Sequence, residues 1–164
     1  VMGPKGWSAF AAERDTYGNE TGRTYVGVDG KPTLHKHGYS SYQSKYDDRG
    51  NIVETAYFGV DGKPTLTKYG YAGYGSAFDS LGNAVEMSFF GVDGKSALNK
   101  WQVSKWTKAY NAMSQLVLQS YFGLDGKPKA NSESCAQKKT AYDERGQKVK
   151  TECLALDGSV VKEL

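Results

Sequence analysis

The sequence predicts an all-β fold, a solenoid-like array of about five hairpin-plus-connector repeats of 32 residues each. Three observations predict it: an excess of glycine and tyrosine, turn dipeptides at a constant spacing, and alternating stretches beside the turns. The 164 residues include 20 glycines and 12 tyrosines, and glycine exceeds its usual share of roughly 7%. No apolar run reaches the ~20 residues of a membrane helix. The 13% aromatic content argues against a disordered chain.

The repeat is marked by Asp-Gly dipeptides that recur every 32 residues without insertion or deletion. A second marker, Tyr-Asp-x-x-Gly-Asn, begins at Tyr46 and keeps the same step. Because units of this size cannot bury a face alone, stacked neighbours are expected to build one continuous core and one domain. Residues 1–13 are interpreted as the end of a preceding unit. The array over 14–164 divides into repeats 14–45, 46–77, 78–109, 110–141 and 142–164.

Each repeat is expected to begin with a hairpin. The Asp of Asp-x-x-Gly-Asn begins a type I turn, and the Gly takes the left-handed position that forms a bulge. In one hairpin, strands are predicted over 71–78 and 84–90 because β-branched and aromatic residues flank the turn. Tyr39, Tyr42 and Tyr46 also have the spacing of a helical stripe. Their Gly- and Ser-rich surroundings favour a strand. In that strand Tyr39 is expected on the face opposite Tyr42 and Tyr46 if no bulge intervenes.

A connector such as residues 60–70 follows each hairpin. Its Asp-Gly dipeptide is expected to form a second turn, and Pro64 excludes a central strand there. The Leu66 side chain is expected to pack into the core. Hairpin and connector together account for the whole 32-residue step.

The motif Tyr-Asp-x-x-Gly-Asn, followed by Tyr-Phe-Gly-x-Asp-Gly-Lys-Pro, resembles the tandem β-hairpin repeats of bacterial surface and secreted proteins, namely the YD-type and WG-type repeats. The resemblance spans nearly the whole chain. A distant likeness is to bacterial cell-wall choline-binding modules, which cage ligands between the aromatics of successive units. The resemblance implies an interaction role and a secreted or cell-surface location. The opening Val1-Met2-Gly3-Pro4 predicts that the chain is part of a longer one.

Aromatic and basic residues at the ends of the units are the candidate ligand-binding residues. Tryptophan and tyrosine stack on sugar rings and cationic groups, but those that recur in every repeat are interpreted mostly as core. The candidates with surface positions share two places in the repeat: His37, Tyr69 and Trp101, and before them Lys36, Lys68 and Lys100. The lysines form a basic stripe that either attracts anionic glycans or only keeps the loops soluble.

No motif points to catalysis, a metal or a cofactor. The two histidines, His35 and His37, lie in one segment without a third ligand nearby, and each Asp-Gly turn offers one carboxylate where calcium needs several oxygen ligands. We therefore expect neither enzyme activity nor a cofactor. The net charge of +3 is too small to indicate nucleic-acid binding.

The two cysteines occupy places that hold mostly aromatic residues in other repeats. Cys135 corresponds to Trp7, Tyr39, Tyr71 and Val103, and Cys153 corresponds to Tyr25, Tyr57, Phe89 and Tyr121. Folding the hairpin about its turn places both on adjacent strands, diagonally and on one face. One hypothesis is a disulfide that staples the last repeat in an oxidising compartment. The alternative is a pair of buried free thiols.

These patterns lead to one functional prediction with two alternatives. The prediction is a non-catalytic repeat module of a bacterial surface or secreted protein, which binds a protein or a cell-wall or surface glycan through faces rich in aromatics and lysine. The first alternative is a purely structural spacer or shell that presents another domain. The second is an accessory to a sugar-active enzyme whose catalytic domain lies elsewhere.

Overall fold

The computed structural model describes residues 7–164, which form β-strands joined by turns and contain no helix. Eleven antiparallel strands form one open sheet whose strand order follows the sequence. The predicted all-β hairpin array is therefore confirmed. Residues 1–13 are the expected end of a preceding unit. Of these, residues 1–6 lie outside the part of the chain that the structure describes. Within the described chain, no helix is long and apolar enough to cross a membrane.

The strands are short. They are β1 Ala9–Arg14, β2 Glu20–Val26, β3 Ser41–Tyr46, β4 Ile52–Phe58, β5 Gly73–Phe78, β6 Ala84–Phe90, β7 Lys105–Tyr110, β8 Leu116–Phe122, β9 Gln137–Tyr142, β10 Lys148–Leu154 and β11 Val160–Glu163. Ten of them form five hairpins, and β11 follows the last hairpin. Contacts group the chain into two compact units. The first runs to Gly75 and includes Phe89–Lys95, and the second comprises Ser76–Ser88 and Ser96–Leu164.

The hairpin turn has the predicted chemistry. In the β3–β4 hairpin, Asp47 Oδ1 accepts the backbone N–H groups of Arg49 at 3.0 Å and Asn51 at 2.8 Å. The Asn51 side-chain amide donates to Asp47 Oδ2 at 2.9 Å. Gly50 has a φ of 81°, which an L side chain rarely adopts. The pairing register shifts between Lys45 and Tyr46, so the expected bulge is present.

The connector folds back on the strand that precedes it. After β4, the N–H of Gly59 donates to the Lys63 carbonyl at 2.9 Å, and Gly62 has a φ of 73°. Pro64 then forms a single bridge with Phe58. Beyond this bridge the chain leaves the sheet edge, as expected for a proline without an N–H group.

The prediction that the Leu66 side chain packs into the core is wrong. Leu66 is 49% exposed, whereas Thr67 is 5% exposed. The Thr67 hydroxyl donates to the Tyr71 carbonyl at 3.0 Å and accepts the Tyr69 N–H at 3.3 Å. The backbone turns at this point, so the polar side chain that caps the turn faces inward and its apolar neighbour faces solvent.

The expectation that Tyr39 lies on the face opposite Tyr42 is also wrong. Their ring centroids are 6.3 Å apart, and both rings line one small cavity of the first compact unit. Tyr39 precedes β3, and the chain bends at Ser40. The bend interrupts the alternation of faces that a continuous strand would impose.

The core contains pairs at two corresponding places of each hairpin, one two residues before its first strand and the other in its second strand. In the first compact unit the ring centroids are 5.3 Å apart for Trp7–Tyr25, 4.7 Å for Tyr39–Tyr57 and 4.9 Å for Tyr71–Phe89. In the second, Val103, Tyr121, Cys135 and Cys153 form one buried cluster, with Trp106 packed against it. The interpretation of these recurring aromatics as core is confirmed.

Candidate functional site

The candidate ligand-binding residues lie at the tips of the turns that join each connector to the next hairpin. In the first compact unit, the Thr67 N–H donates to the Tyr71 carbonyl at 2.9 Å, and the Gly70 N–H donates to the Thr67 carbonyl at 2.9 Å. Gly70 has a φ of 84°. This tight turn places Lys68 and Tyr69 together at the tip.

The structure brings His37, Lys68 and Tyr69 together. The His37 and Tyr69 rings meet edge to face with centroids 5.4 Å apart, and the Lys68 N–H donates to the His37 carbonyl at 2.8 Å. The Lys68 ammonium lies 5.2 Å from the Tyr69 ring centroid. Tyr69 also stacks near Tyr71, with centroids 6.2 Å apart. Tyr69 is therefore half-buried, while Lys36 and Lys68 are exposed.

The imidazole of His37 stays neutral near neutral pH. Burial lowers its pKa below the ordinary value, and the positive charges of Lys68 and Lys36 lower it further. His35 stacks on Tyr25 with centroids 4.7 Å apart, and its Nδ1 accepts the His37 backbone N–H at 3.3 Å. Within residues 7–164, no three side chains of the metal-binding types lie close enough to hold a metal ion.

Trp101 is the most exposed aromatic of the candidate set. It is 38% exposed, and the Lys100 ammonium lies 4.4 Å from its ring centroid. Asn99 Oδ1 accepts the Trp101 N–H at 2.9 Å, and Gln102 takes the left-handed conformation with a φ of 65°. The turn therefore holds a broad aromatic surface beside a cation at the surface of the second compact unit.

The aromatic row does not continue into the next repeat. Glu133 takes the place that corresponds to Trp101, and Ser132 takes that of Lys100. The Lys138 ammonium pairs with the Glu133 carboxylate at 3.2 Å, and the Ser132 N–H donates to the Trp101 carbonyl at 2.8 Å. The last of these turns thus donates a backbone hydrogen bond to the Trp101 carbonyl, and it adds the negative charge of Glu133.

A cluster around Glu20 was not predicted. The Arg23 guanidinium donates two hydrogen bonds of 2.8 Å to the Glu20 carboxylate, and the Tyr42 hydroxyl also donates to it. The Tyr46 hydroxyl donates to the Glu20 carbonyl at 2.7 Å. The bonds from Arg23 first and then from Tyr42 lower the pKa of the Glu20 carboxyl. The places of Glu20 and Arg23 hold other residue types in the other repeats, so the repeat pattern gave no signal.

A polar cleft of about 790 Å³ lies beside the first two hairpin turns, where Asp15, Tyr17, Lys45 and Asp47 contribute to its lining. The two aspartates are engaged in their own turns, and hydrogen bonds from Asn19 and Asn51 lower the pKa of Asp15 and Asp47 respectively. They are therefore ionised acceptors within a turn rather than groups that exchange protons near neutral pH.

The structure joins Cys135 and Cys153 in a disulfide, with Cα atoms 5.2 Å apart. Both residues are completely buried in the cluster formed with Val103 and Tyr121. The bond stands where a pair of aromatic rings stands in the first compact unit. It crosses the last hairpin at its core rather than at its surface.

The arrangement at the turn tips can bind a ligand by ring stacking and by charge. The half-buried Tyr69 ring and the exposed Trp101 ring offer apolar faces, and the lysine beside each offers a cation. Sugars are polar molecules with an apolar ring face, so they bind well to surfaces that place an aromatic ring beside a charged group. Compared with models of known protein families and with curated proteins, the chain gives no match.

Proposed function

We propose that this chain is a non-catalytic repeat module of a bacterial surface or secreted protein, and that it binds a glycan or a protein through its turn tips. The motif resemblance supports the cellular setting. The location of His37, Tyr69 and Trp101 at the tips, each beside a lysine in sequence, supports a binding role. The repetition of one chemical pattern at a fixed spacing suits a partner that is itself repetitive.

The exposed indole of Trp101 carries the proposal. A tryptophan that is 38% exposed leaves a large apolar surface in water, which a ligand would cover at a gain of about 25 cal/mol per Å². Lys100 beside the ring supplies the charge for a carboxylate or another anionic group. Stacking and charge would thus act on one ligand residue.

The test is Trp101→Ala, assayed on a glycan array and in pull-downs against surface proteins. We expect loss of binding with little change in melting temperature, because surface substitutions usually stay within about 0.5 kcal/mol. The matched control is Leu124→Ala, which removes another exposed apolar side chain (57% exposed) from the second compact unit. Unchanged binding by the Trp101 variant, or its unfolding, would refute the proposal.

Tyr69→Ala is a second and less selective probe. Tyr69 contacts His37 and stacks near Tyr71, so its removal is expected to lower stability as well as binding. A comparison of the two variants therefore separates binding from folding. If the melting temperatures of the Trp101→Ala and Tyr69→Ala variants fall in proportion to their loss of binding, the turn-tip aromatics are structural.

A structural spacer or shell is the second candidate function. The observation that favours it is the use of recurring aromatics in core pairs, such as Tyr39 with Tyr57. Under this alternative the array presents a neighbouring domain and has no ligand of its own. It predicts no specific signal on the glycan array for the intact chain and for the Trp101→Ala variant alike.

A further inference from the structure

A cavity of about 330 Å³ lies beside Gly73 in the first compact unit. A Cβ atom added to Gly73 would lie 2.8 Å from the Thr55 carbonyl oxygen, so the close approach of β5 to β4 requires glycine here. Because glycine brings no side chain, the space beside it stays open. We call this space the Gly73 cavity. Its lining is mostly apolar and includes Glu54, Ala56, Pro64, Gly73, Phe90 and Val92.

In the second compact unit a lysine stands at the place that corresponds to Gly73. This lysine, Lys105, is 32 residues further along the chain. Its ammonium lies 3.2 Å from the Glu86 carboxylate and 5.1 Å from the centroid of the Phe122 ring. A cation within about 6 Å of an aromatic centroid is attracted to the ring. The chain thus shows an alkylammonium group held between a glutamate and a phenylalanine.

The Gly73 cavity keeps the counterparts of both partners of that lysine. Glu54 corresponds to Glu86 and Phe90 corresponds to Phe122, and Glu54 and Phe90 both line the cavity. The Phe90 ring lies over Gly75, since a Cβ atom there would be 3.4 Å from the Cε2 atom of the ring. The carboxylate and the ring are therefore in place, while Gly73 supplies no cation.

The strand register supports this correspondence. Glu54 pairs with Gly75, and Glu86 pairs with Thr107, each partner 32 residues later. The place of the two glutamates holds no acid in the other hairpins, which have Gly22, Leu118 and Lys150. The combination of glutamate and phenylalanine therefore occurs twice in the array, once with lysine and once with glycine.

The Glu54 carboxylate already has one cation beside it. The Lys45 ammonium lies 3.0 Å from its Oε2 atom, and the two side chains are 71% and 49% exposed. An ion pair this exposed contributes little, and a carboxylate can accept several hydrogen bonds. Glu54 can therefore accept a second ammonium from the side of the cavity, with Lys45 as a weak competitor.

We propose that the Gly73 cavity binds a primary alkylammonium group, and that this group is the side chain of a lysine of a partner protein. The ammonium would donate to Glu54 and lie against the Phe90 ring, while its four-carbon stem covers the apolar wall at Ala56 and Pro64. A free polyamine carries further charges along its length, which would lie on that apolar wall without a carboxylate. The inference does not rest on ligand binding by the turn tips.

Titration with n-butylammonium chloride tests the site, because this ion is the lysine side chain without its backbone. We expect saturable shifts of the backbone amide signals near Gly73 in NMR spectra. Glu54→Gln should weaken binding about ten-fold, since a hydrogen bond to a charged group is lost. The matched control is Glu86→Gln, which should leave these shifts unchanged because Glu86 already pairs with Lys105. An absence of shifts, or equal weakening by both variants, would overturn the proposal.

The reverse experiment opens the corresponding space in the second compact unit. Lys105→Gly should create a second site for n-butylammonium between Glu86 and Phe122, so that two ions bind per chain. Since glycine weakens a strand, Lys105→Ala with n-propylammonium provides the same test on a more stable chain. If both variants still bound a single ion, the comparison between the two places would fail and the proposal with it.

Two further comparisons identify the ligand and its source. Lys45→Gln removes the competing cation and should strengthen n-butylammonium binding a few-fold. A lysine blocked at both backbone ends should displace n-butylammonium, whereas the same compound acetylated on Nζ should not. Equal displacement by the acetylated compound would contradict the role of charge. Spermidine binding ten-fold tighter than the blocked lysine would overturn the assignment to a protein side chain.

Discussion

Tyr39 and Tyr57 pack with ring centroids 4.7 Å apart, at the same two places that Cys135 and Cys153 occupy in the last hairpin. One position pair is therefore filled by two rings in one hairpin and by a covalent bond in another. Burial raises the pKa of Tyr39 and of Tyr57 above the ordinary tyrosine value, and it raises the pKa of Tyr71 in the next hairpin to about 12. The pair thus acts as an apolar cross-link between neighbouring strands, for which the disulfide is a smaller substitute.

The first prediction concerns that disulfide. We expect alkylation of the denatured, unreduced protein to add no label and alkylation after reduction to add two, measured by mass spectrometry. The bond joins residues 18 apart in sequence, and a loop of this size corresponds to about 3 kcal/mol of stabilisation. Reduction should therefore lower the free energy of unfolding by about that amount.

The control is a chain with both cysteines replaced, Cys135→Ala and Cys153→Ala, for which a reductant should leave the unfolding curve unchanged. Two labels on the denatured protein without reduction would show free thiols. In that case the buried cluster around Val103 and Tyr121 would be held by packing alone.

The second prediction concerns a hydroxyl that ties one hairpin to the preceding one. The Tyr110 hydroxyl donates to the Ala84 carbonyl at 2.9 Å, and Tyr142 does the same to Leu116 at 3.1 Å. Tyr110→Phe keeps the ring and removes the bond. We expect the free energy of unfolding to fall by about 1 kcal/mol, measured by denaturant titration.

Tyr17→Phe is the matched control, because this ring is 90% exposed and its hydroxyl loses no buried partner. It should leave the unfolding curve unchanged. The natural Phe78 at the place of Tyr110 indicates that the ring alone suffices for folding. An equal effect of the two Tyr→Phe changes would show that the inter-hairpin hydroxyl bond contributes nothing specific.

The repeat pattern predicted strands, turns and core pairs because each depends on residues at fixed spacing within one repeat. It failed for Leu66 and Thr67, since the direction in which the backbone leaves the sheet decides which of two neighbours is buried. It also gave no sign of the cluster around Glu20, because Tyr42 joins Glu20 and Arg23 only through the register between successive hairpins. The exposure of the turn tips likewise depends on how the turns close and not on residue type.

The third prediction is a loss of stability in mild acid that depends on His37. Burial, then Lys68 and Lys36, lower the pKa of His37 in the folded chain, whereas the unfolded imidazole keeps a pKa of about 6.5. Between these two values the unfolded chain binds more protons, so protonation favours unfolding. The contribution of His37 to stability is therefore complete above about pH 6.5 and is lost as the pH falls through its folded pKa.

Thermal melts at about pH 7.5 and pH 5.5 check this sign. We expect the drop in melting temperature between the two pH values to be smaller for His37→Gln than for the unmodified chain, because glutamine does not titrate. Lys68→Ala removes one of the charges that oppose protonation and should reduce the drop in part. If His37→Gln showed the full drop, the acid sensitivity would have to come from other groups, and the turn tip would tolerate a charged imidazole.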